Sequence, residues 1–179
     1  AASPLGVDVV VLDPTPDCPA SVAAEQVVGG FDDADAIHEV AGRVDALTFE
    51  IELADPEALA AAADEAGIVV HPDPETLRVI QDKLVQNDHF ADAGVPLPDY
   101  RRVDDAADLR EAVDDWGTVM LKARTGGYDG RGNLPVSDPD DATDALDEVG
   151  AHEGGAIAER FVDFDREVSV IGVRGRDEV

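Results

Sequence analysis

The sequence predicts an α/β fold in two parts: a partial, doubly wound parallel sheet over residues 1–75 and a smaller α+β unit over residues 76–179. In the first part, short apolar runs alternate with amphipathic helical segments, the rhythm of a parallel sheet with helices on both faces. In the second part, short strands joined by a tight glycine loop indicate an antiparallel sheet. Four prolines mark the change between the parts: Pro72, Pro74, Pro96 and Pro98.

Apolar runs and helix start signals predict the elements of the first part. Val7–Leu12 is an apolar run ending at Asp13-Pro14, typical of a buried strand. Asp32 or Asp33 offers an N-cap for a helix over Ala34–Val44. The same criteria predict strands at Ala46–Phe49 and Ile68–His71, and a helix from Asp55-Pro56 to Ala66.

The second part begins with helices and continues with shorter strands. Glu75–Ile80 and Asp82–Ala93 have helical spacing, and Gly94 ends the second of them. The chain has no initiator methionine and stops just after a strand-like run, so we expect an internal fragment that lacks the first strand of the sheet. Further strands are predicted at Tyr100–Val103, Val119–Lys122, Leu134–Val136, Ala156–Glu159 and Glu167–Val173, with helices at Ala106–Asp115 and Pro139–Val149.

The charge balance limits the partners and the compartment. Against 41 Asp and Glu the chain has 13 Lys and Arg, a net charge of -28, and the acids are spread along its length. This pattern predicts adaptation to a cytoplasm of multimolar salt, as in a halophilic archaeon, where self-repulsion is screened. No basic stripe exists to bind nucleic acid. The single cysteine, Cys18, fits a reducing cytosol, and no apolar run is long enough to span a membrane.

The two lysines of the chain stand where phosphate contacts would be useful. Lys122 ends an apolar strand, and Gly126–Gly132 contains four glycines in seven residues. Glycines let successive N–H groups approach an anion, and a lysine adds a point charge. The alternatives are a flexible hairpin turn and, for Lys83 at a helix start, a solvated helical lysine. The loop also carries polar groups that a hairpin turn would not require: Tyr128, Asp129 and Arg131.

Two further segments are candidates for ligand contacts. Glu159–Val162 runs from a strand into a loop, where backbone groups can pair with an adenine edge, and Glu167 can accept from ribose hydroxyls. Alone, this run could equally be an ordinary β-hairpin. Glu50 and Glu52 follow the strand predicted at Ala46–Phe49, and ligands of open α/β sheets bind beyond the carboxyl ends of strands. Solvated acids remain the alternative there. The four histidines have no metal-ligand spacing, and no metal ligand is assigned.

Taken together, these segments resemble a family of ATP-grasp enzymes, the 5-(carboxyamino)imidazole ribonucleotide synthases of purine biosynthesis. The likeness covers essentially the whole chain in order, and its most specific element is Arg124–Gly132. It departs from relatives at Asn87, where many carry a further lysine. The other matching segments are Pro4-Leu5-Gly6, Asp13-Pro14, Pro19-Ala20, Thr48–Glu52, Gln81-Asp82-Lys83, Ala93–Pro96, Glu159 and Glu167-Val168-Ser169.

The resemblance implies a pre-ATP-grasp domain followed by the N-terminal part of an ATP-grasp domain, and it implies roles for individual residues. Lys83 and Lys122 would contact ATP phosphates. The loop closing over the phosphates would consist of Gly127, Tyr128, Asp129, Gly130, Arg131, Gly132 and Asn133. Glu159, Arg160, Phe161 and Val162 would frame adenine, with Glu167 on the ribose. Tyr128, Asp129 and Arg131 would also face the aminoimidazole ribonucleotide as catalytic residues, joined by Glu50 or Glu52.

The implied reaction is ATP-dependent carboxylation of aminoimidazole ribonucleotide by bicarbonate, through carboxyphosphate, with ADP and phosphate as products. Mg²⁺ would bridge the ATP phosphates, with its ligands outside this chain, and the full-length enzyme would be a cytoplasmic homodimer. Residues 1–179 alone would be inactive. Two alternatives stay open: another ATP-grasp ligase, such as a formate-using purine enzyme or a biotin-dependent carboxylase subunit, and a non-catalytic nucleotide-binding or structural module.

Overall fold

The structure is a computed structural model that describes residues 5–126, 132–151 and 154–172. Two short 3₁₀ turns, Pro19–Val22 and Pro139–Asp141, accompany the regular elements. In chain order the strands and α-helices are β1 Val10–Asp13, β2 Glu25–Val28, α1 Ala34–Ala41, β3 Ala46–Leu47, α2 Pro56–Ala66, β4 Val69–Val70, α3 Pro74–Ile80, α4 Lys83–Asp92, β5 Tyr100–Val103, α5 Ala106–Trp116, β6 Val119–Ala123, β7 Asn133–Val136, α6 Ala142–Val149 and β8 Ala156–Arg160.

The first part contains two parallel strand pairs on one apolar core. β1 pairs with β2, and β3 pairs with β4, both in parallel. Helices α1 and α2 pack together over them, and Leu77 of α3 is fully buried in the same cluster. Apolar residues at helical spacing, Ile37 and Val40, turn one face of α1 inward, while Asp33 accepts from the amides of Asp35 and Ala36 to cap its start. The parallel pairing confirms the predicted α/β class.

Strand β2 was not predicted from the sequence. Only Val27 of its four residues is buried, and its first two residues are Glu25 and Gln26, so the apolar signal is weak. Its partner, β1, begins at Val10 rather than Val7 because the register pairs Val10 with Glu25 and leaves the earlier residues unpaired.

Three other predicted elements of this part are shorter in the structure, one of them β4, which spans Val69–Val70 instead of Ile68–His71. Helix α1 ends at Ala41 instead of Val44, since Gly42 follows and has low helix propensity. Strand β3 ends at Leu47 instead of Phe49, since β4 offers only two residues for pairing. The remaining helix bounds of this part lie within one residue of those predicted.

The second part is an antiparallel sheet with the strand order β5-β8-β6-β7. Helices α5 and α6 cover one face, and the alternating residues Val119, Leu121 and Ala123 of β6 point into that core. This confirms the predicted α+β unit with its antiparallel strands. Among the described residues, no helix is long and apolar enough to cross a membrane.

The strand predicted at Glu167–Val173 is wrong for its described residues, 167–172. Val168, Val170 and Ile171 are 80%, 90% and 93% exposed. Apolar residues favour a strand only where a neighbouring backbone can pair with it, and no described strand lies beside this segment. Val173 lies outside the described residues.

Candidate functional site

The ammonium group of Lys122 lies on the sheet face opposite the α5–α6 core. Lys122 alternates with the buried residues Leu121 and Ala123, so its side chain points to the other side of β6. Its Nζ is 2.6 Å from Oε2 of Glu159 on the neighbouring strand β8. The two side chains are 25% and 14% exposed. A lysine is therefore held by a carboxylate at the edge of solvent, where it can also reach an anion.

The second oxygen of Glu159 is occupied as well. Nδ2 of Asn87, on α4, donates to Oε1 of Glu159 at 3.0 Å. Asn87 is 7% exposed and is the one buried polar side chain among the described residues. Helix α4 is anchored beside it by the hydroxyl of Tyr100, which donates to Asp88 at 2.8 Å. In the sequence Asn87 stands out only as a departure from relatives, and nothing there predicts this contact.

Strand register spreads the candidate contacts along this face. Asn133 of β7 lies opposite Lys122 at one end, and Glu159 lies opposite Met120 in the middle. At the other end, the amide of Phe161 donates to the carbonyl of Thr118 at 3.0 Å. Strands rise about 3.3 Å per residue, so Lys122 and Phe161 mark the ends of a track roughly 10–13 Å long. A nucleotide could place its phosphates at one end and its base at the other.

The described ends of the glycine-rich segment lie at the Lys122 end of the track. The amide of Ala123 donates to the carbonyl of Gly132 at 2.9 Å, which returns the chain to the strand. Gly132 has φ 75°, a left-handed conformation that favours glycine. Five predicted contact residues, Gly127, Tyr128, Asp129, Gly130 and Arg131, lie outside the described residues.

Lys83 is half-buried and begins α4, close to the strand that carries Lys122. Its amide donates to the carbonyl of Arg124 at 3.0 Å. The backbone therefore brings the two lysine-bearing elements together, although the lysines are 39 positions apart in the sequence (122 − 83).

Asp82 joins the same region from the start of α4. Its Oδ1 accepts from Nε of Arg124 at 3.0 Å and its Oδ2 from Nη2 at 2.5 Å, and the side chains are 21% and 17% exposed. Oδ1 also caps α4 by accepting from the amides of Leu84 and Val85. Burial opposes ionisation, but the Arg124 and amide hydrogen bonds outweigh it, so the pKa of Asp82 is below its ordinary value. The same pair raises the pKa of Arg124.

Glu50 and Glu52 lie in the loop after β3, the first exposed and the second half-buried. An open cleft of about 530 Å³ lies between Leu53, the residue after Glu52, and Thr125, the residue before the glycine-rich segment, and neither Glu50 nor Glu52 lines it. The cleft is lined by Asp32, Leu53, Ala54, Asp55, Pro56, Glu57, Arg78, Gln81, Asp82 and Thr125. The structure thus brings the Glu52 loop next to the candidate phosphate site.

Three predicted residues are not gathered into the track. The Arg160 guanidinium points to Asp99, with Nη1 3.4 Å from Oδ2. Val162 is 52% exposed just beyond β8, and Glu167 is exposed with no hydrogen bond to another described residue. Phe161, at 43% exposure, is the apolar side chain nearest the end of the track.

Comparison with family models identifies both parts of the chain. A model described as the ATP-grasp domain matches residues 88–179. The chain belongs to the ATP-grasp family. A second model, the ribonucleotide synthetase preATP-grasp domain, matches residues 1–81. This ATP-grasp chain therefore has the two-part order that the fold shows.

Individual relatives of this ATP-grasp chain have consistent names. It is 36% identical to N5-carboxyaminoimidazole ribonucleotide synthase of Pseudomonas aeruginosa, over 99% of this chain and 48% of the relative. It is also 36% identical to the chloroplastic phosphoribosylaminoimidazole carboxylase of Vigna aconitifolia, over 99% of this chain and 32% of the relative. The crystal structure of the Aspergillus clavatus N5-carboxyaminoimidazole synthase with ADP and 5-aminoimidazole ribonucleotide aligns with TM-score 0.78 and 30% identity, covering 92% of this chain and 43% of the other. The chain thus spans less than half of each relative.

Replacing Asp82 with asparagine is expected to remove a stabilising contribution that depends on pH. An asparagine oxygen can still cap α4, whereas the ion pair to Arg124 is lost. Since the pKa of Asp82 in the folded protein is below its ordinary value, its stabilisation is fully present well above the unfolded-state pKa of about 3.9 and disappears as pH falls through the folded-state value. Urea unfolding of the full-length protein should give a wild-type advantage of about 1–3 kcal/mol at pH 7. The advantage should shrink in acid, and a gap independent of pH would contradict the assignment.

Proposed function

We propose that the full-length protein containing this chain is a 5-(carboxyamino)imidazole ribonucleotide synthase, which carboxylates 5-aminoimidazole ribonucleotide with bicarbonate at the expense of ATP. The observation that carries the proposal is the Lys122–Glu159–Asn87 set on the open sheet face, beside the start of α4. A paired lysine next to glycine-rich backbone is suited to phosphate oxygens. The named relatives, matched over nearly all of this chain, supply the substrate.

In this proposal the nucleotide lies along the track from Lys122 to Phe161. Lys122 and Lys83 bind the phosphates together with the backbone of Gly132 and Asn133. Glu159 holds the Lys122 ammonium in place, since its carboxylate contacts Nζ at 2.6 Å. Phe161 and Val162 cover the adenine, Arg160 supplies backbone groups at the end of β8, and Glu167 reaches the ribose. Because Glu167 is exposed, nucleotide binding would have to bring its segment inward.

The aminoimidazole ribonucleotide is proposed to occupy the cleft between the Glu52 loop and Thr125. Tyr128, Asp129 and Arg131 would contact it from the glycine-rich segment, with Glu52 or Glu50 opposite. A bicarbonate oxygen attacks the γ-phosphorus and displaces ADP, giving carboxyphosphate. The 5-amino nitrogen then bonds to the carboxyl carbon, phosphate leaves, and the nitrogen loses a proton. The residues of this chain act mainly by placing the reactants together and neutralising charge.

Mg²⁺ is proposed to accompany ATP and to offset phosphate charge when bound. Among the described residues, no group of three or more His, Cys, Asp or Glu side chains could hold a metal ion. The described part of the chain therefore does not fit a Mg²⁺ site by itself, and no step of the reaction is assigned to this ion here.

Further proposals concern the whole protein. We propose a domain boundary near residues 75–76, a homodimeric full-length enzyme, and a cytoplasmic location in a halophilic archaeon. The net charge of -28 supports the salt adaptation, and the buried, free thiol of Cys18 is compatible with a reducing compartment.

The test is turnover by the full-length protein. We expect release of ADP and phosphate that requires bicarbonate and aminoimidazole ribonucleotide together, and no turnover when formate or biotin replaces them. Glu52→Gln should lower kcat/KM for the ribonucleotide about 10–100-fold, as expected for a lost polar substrate contact. Glu148→Gln is the matched control, because Glu148 is an exposed carboxylate on α6 that does not line the cleft. The assignment would be rejected if bicarbonate and aminoimidazole ribonucleotide gave no turnover, or if the two variants lowered kcat/KM equally.

A further inference from the structure

Three consecutive residues, Gln81, Asp82 and Lys83, connect separate parts of the candidate site. Nε2 of Gln81 donates to the carbonyls of Glu52 and Ala54, each at 2.8 Å. The Asp82 carboxylate holds the Arg124 guanidinium through two hydrogen bonds. The Lys83 amide donates to the Arg124 carbonyl. The loop on the substrate side is therefore tied, through Gln81–Lys83, to Arg124, two positions before the glycine-rich segment.

Arg124 is well placed to receive this support. It lies two positions after Lys122 and immediately before Thr125, and its amide also donates to the carbonyl of Gly155 at 3.2 Å. Its planar guanidinium matches a carboxylate with two parallel hydrogen bonds, a geometry that a lysine cannot reproduce. The pair is largely shielded from water, with both side chains less than a quarter exposed. Its geometry is therefore more restrictive than that of a surface ion pair.

We propose that Arg124 and Asp82 are positioning residues that hold the nucleotide strand and the Glu52 loop at one fixed spacing, so that the two substrates meet in reacting geometry. This inference rests on the proposed function, since it concerns how the two sides of that site are aligned. Neither residue needs to touch a substrate. Misplacement by about 1 Å can reduce a rate by about 100-fold, so small shifts at this junction act on catalysis.

A purely structural ion pair would behave differently. Its loss would lower the free energy of unfolding, while the remaining folded molecules would keep the normal rate at saturating substrate. A positioning role predicts instead that kcat falls in the folded molecules. Nucleotide affinity is kept, because Lys122, held by Glu159, is still present to bind the phosphates. The ratio of the two effects separates these interpretations.

The experiment uses Asp82→Asn and Arg124→Lys in the full-length protein. Asp82→Asn keeps the cap of α4, and Arg124→Lys keeps the charge but loses the paired geometry. Each is expected to lower kcat about 10–100-fold, with the dissociation constant for ADP within about twofold of wild type. The double variant should be no worse than the poorer single variant, since both changes break one interaction.

Asp115→Asn is the matched control. It breaks an arginine–carboxylate pair of similar length, Arg101 Nη2 to Asp115 Oδ2 at 2.7 Å, which lies on the α5 side of the sheet and does not line the cleft. This control should leave kcat within about twofold of wild type, as surface pairs contribute little. Unchanged kcat in Asp82→Asn and Arg124→Lys, additive losses, or an equal loss in Asp115→Asn would overturn the positioning role.

A second measurement does not depend on turnover or on variants that fold. Hydrogen exchange of the wild-type protein with and without ADP should show slower exchange at the Lys83 and Arg124 amides together with residues 52–54. Protection confined to the Lys122 strand would overturn the proposal. If ADP gives the joint protection but aminoimidazole ribonucleotide is not turned over, the proposed function fails while the positioning role stands.

Discussion

Replacing Lys122 with alanine is expected to lower kcat/KM for ATP by about 100-fold or more, the loss typical when one charge-stabilising donor is removed from a site. Lys122 is on the open face of β6, and its Nζ lies 2.6 Å from Glu159. Without it, the phosphate end of the track loses its charge contact from the sheet. Titration of the full-length protein with ADP should show the same weakening without any turnover.

The variant also leaves Glu159 without its cation, so stability has to be separated from binding. Glu159 is 14% exposed and, among the side chains that the structure describes, would keep only the hydrogen bond from Asn87. We expect Lys122→Ala to lose about 1–3 kcal/mol of unfolding free energy, and Lys122→Ala with Glu159→Gln to recover part of it. Nucleotide affinity should not recover in the double variant, because the ammonium is still absent.

The ion-pair cluster around Arg43 supplies a control for Lys122→Ala. Arg43 lies on the first part of the chain, pairs with both Glu25 and Glu39, and is 40% exposed. Arg43→Ala should change ADP affinity by less than about twofold, as expected for an exposed ion pair. If Lys122→Ala bound ADP as tightly as wild type, the Lys122–Glu159 contact would be a structural ion pair and Lys122 would not bind the phosphates.

Local signals in the sequence were sufficient for most of the fold. Aspartates cap five of the described helices, since Asp33, Asp55, Asp73, Asp82 and Asp105 each accept from amides of the following turn, and the sequence predicted the first of these caps at Asp32 or Asp33. The apolar run Val119–Lys122 correctly predicted a strand, and the structure shows that alternate residues of this strand are buried. These signals reside in a few neighbouring residues, so no knowledge of the partner element was needed.

Elements that depend on a partner were harder to predict. Strand β2 exists because β1 pairs with it, although its own sequence buries only Val27. The opposite error occurred at 167–172, where alternating valines predicted a strand and no described strand lies alongside. Whether a segment forms a strand depends in both cases on a neighbouring strand that can pair with it, and the sequence of the segment alone does not show this.

The same distinction applies to the site. The rarity of lysine pointed to Lys122, yet nothing in the spacing showed that Asn87 and Lys122 share the Glu159 carboxylate, since they are 72 and 37 positions from it. The Asp82–Arg124 pair, 42 positions apart, was equally invisible. Such contacts arise from the antiparallel register of β6 and β8 and from the packing of α4 on them. Sequence motifs named the residues but not their mutual geometry.

Low salt is expected to destabilise the full-length protein strongly if the acidic surface of this chain is representative. Acids outnumber basic residues by 41 to 13. Some of the described arginines are already shared between carboxylates, as Arg43 and Arg78 each contact two glutamates. Most acids therefore have no cation available and repel one another. The Debye length is about 10 Å at 0.1 M and about 3 Å at 1 M salt, so molar KCl screens this repulsion.

Raising KCl from 0.1 to 3 M should increase the Tm measured by thermal unfolding by about 10 °C or more, which corresponds to a few kcal/mol of unfolding free energy for a chain of this size. Salt also strengthens apolar burial, so sodium sulfate at equal ionic strength serves as the comparison, since screening alone predicts similar gains in both salts. Asp140→Asn combined with Asp144→Asn, on the exposed acidic surface around α6, should reduce the salt requirement without changing the core. A Tm that does not respond to KCl, or that responds only to sulfate, would show that the acidic surface is not what makes folding depend on salt.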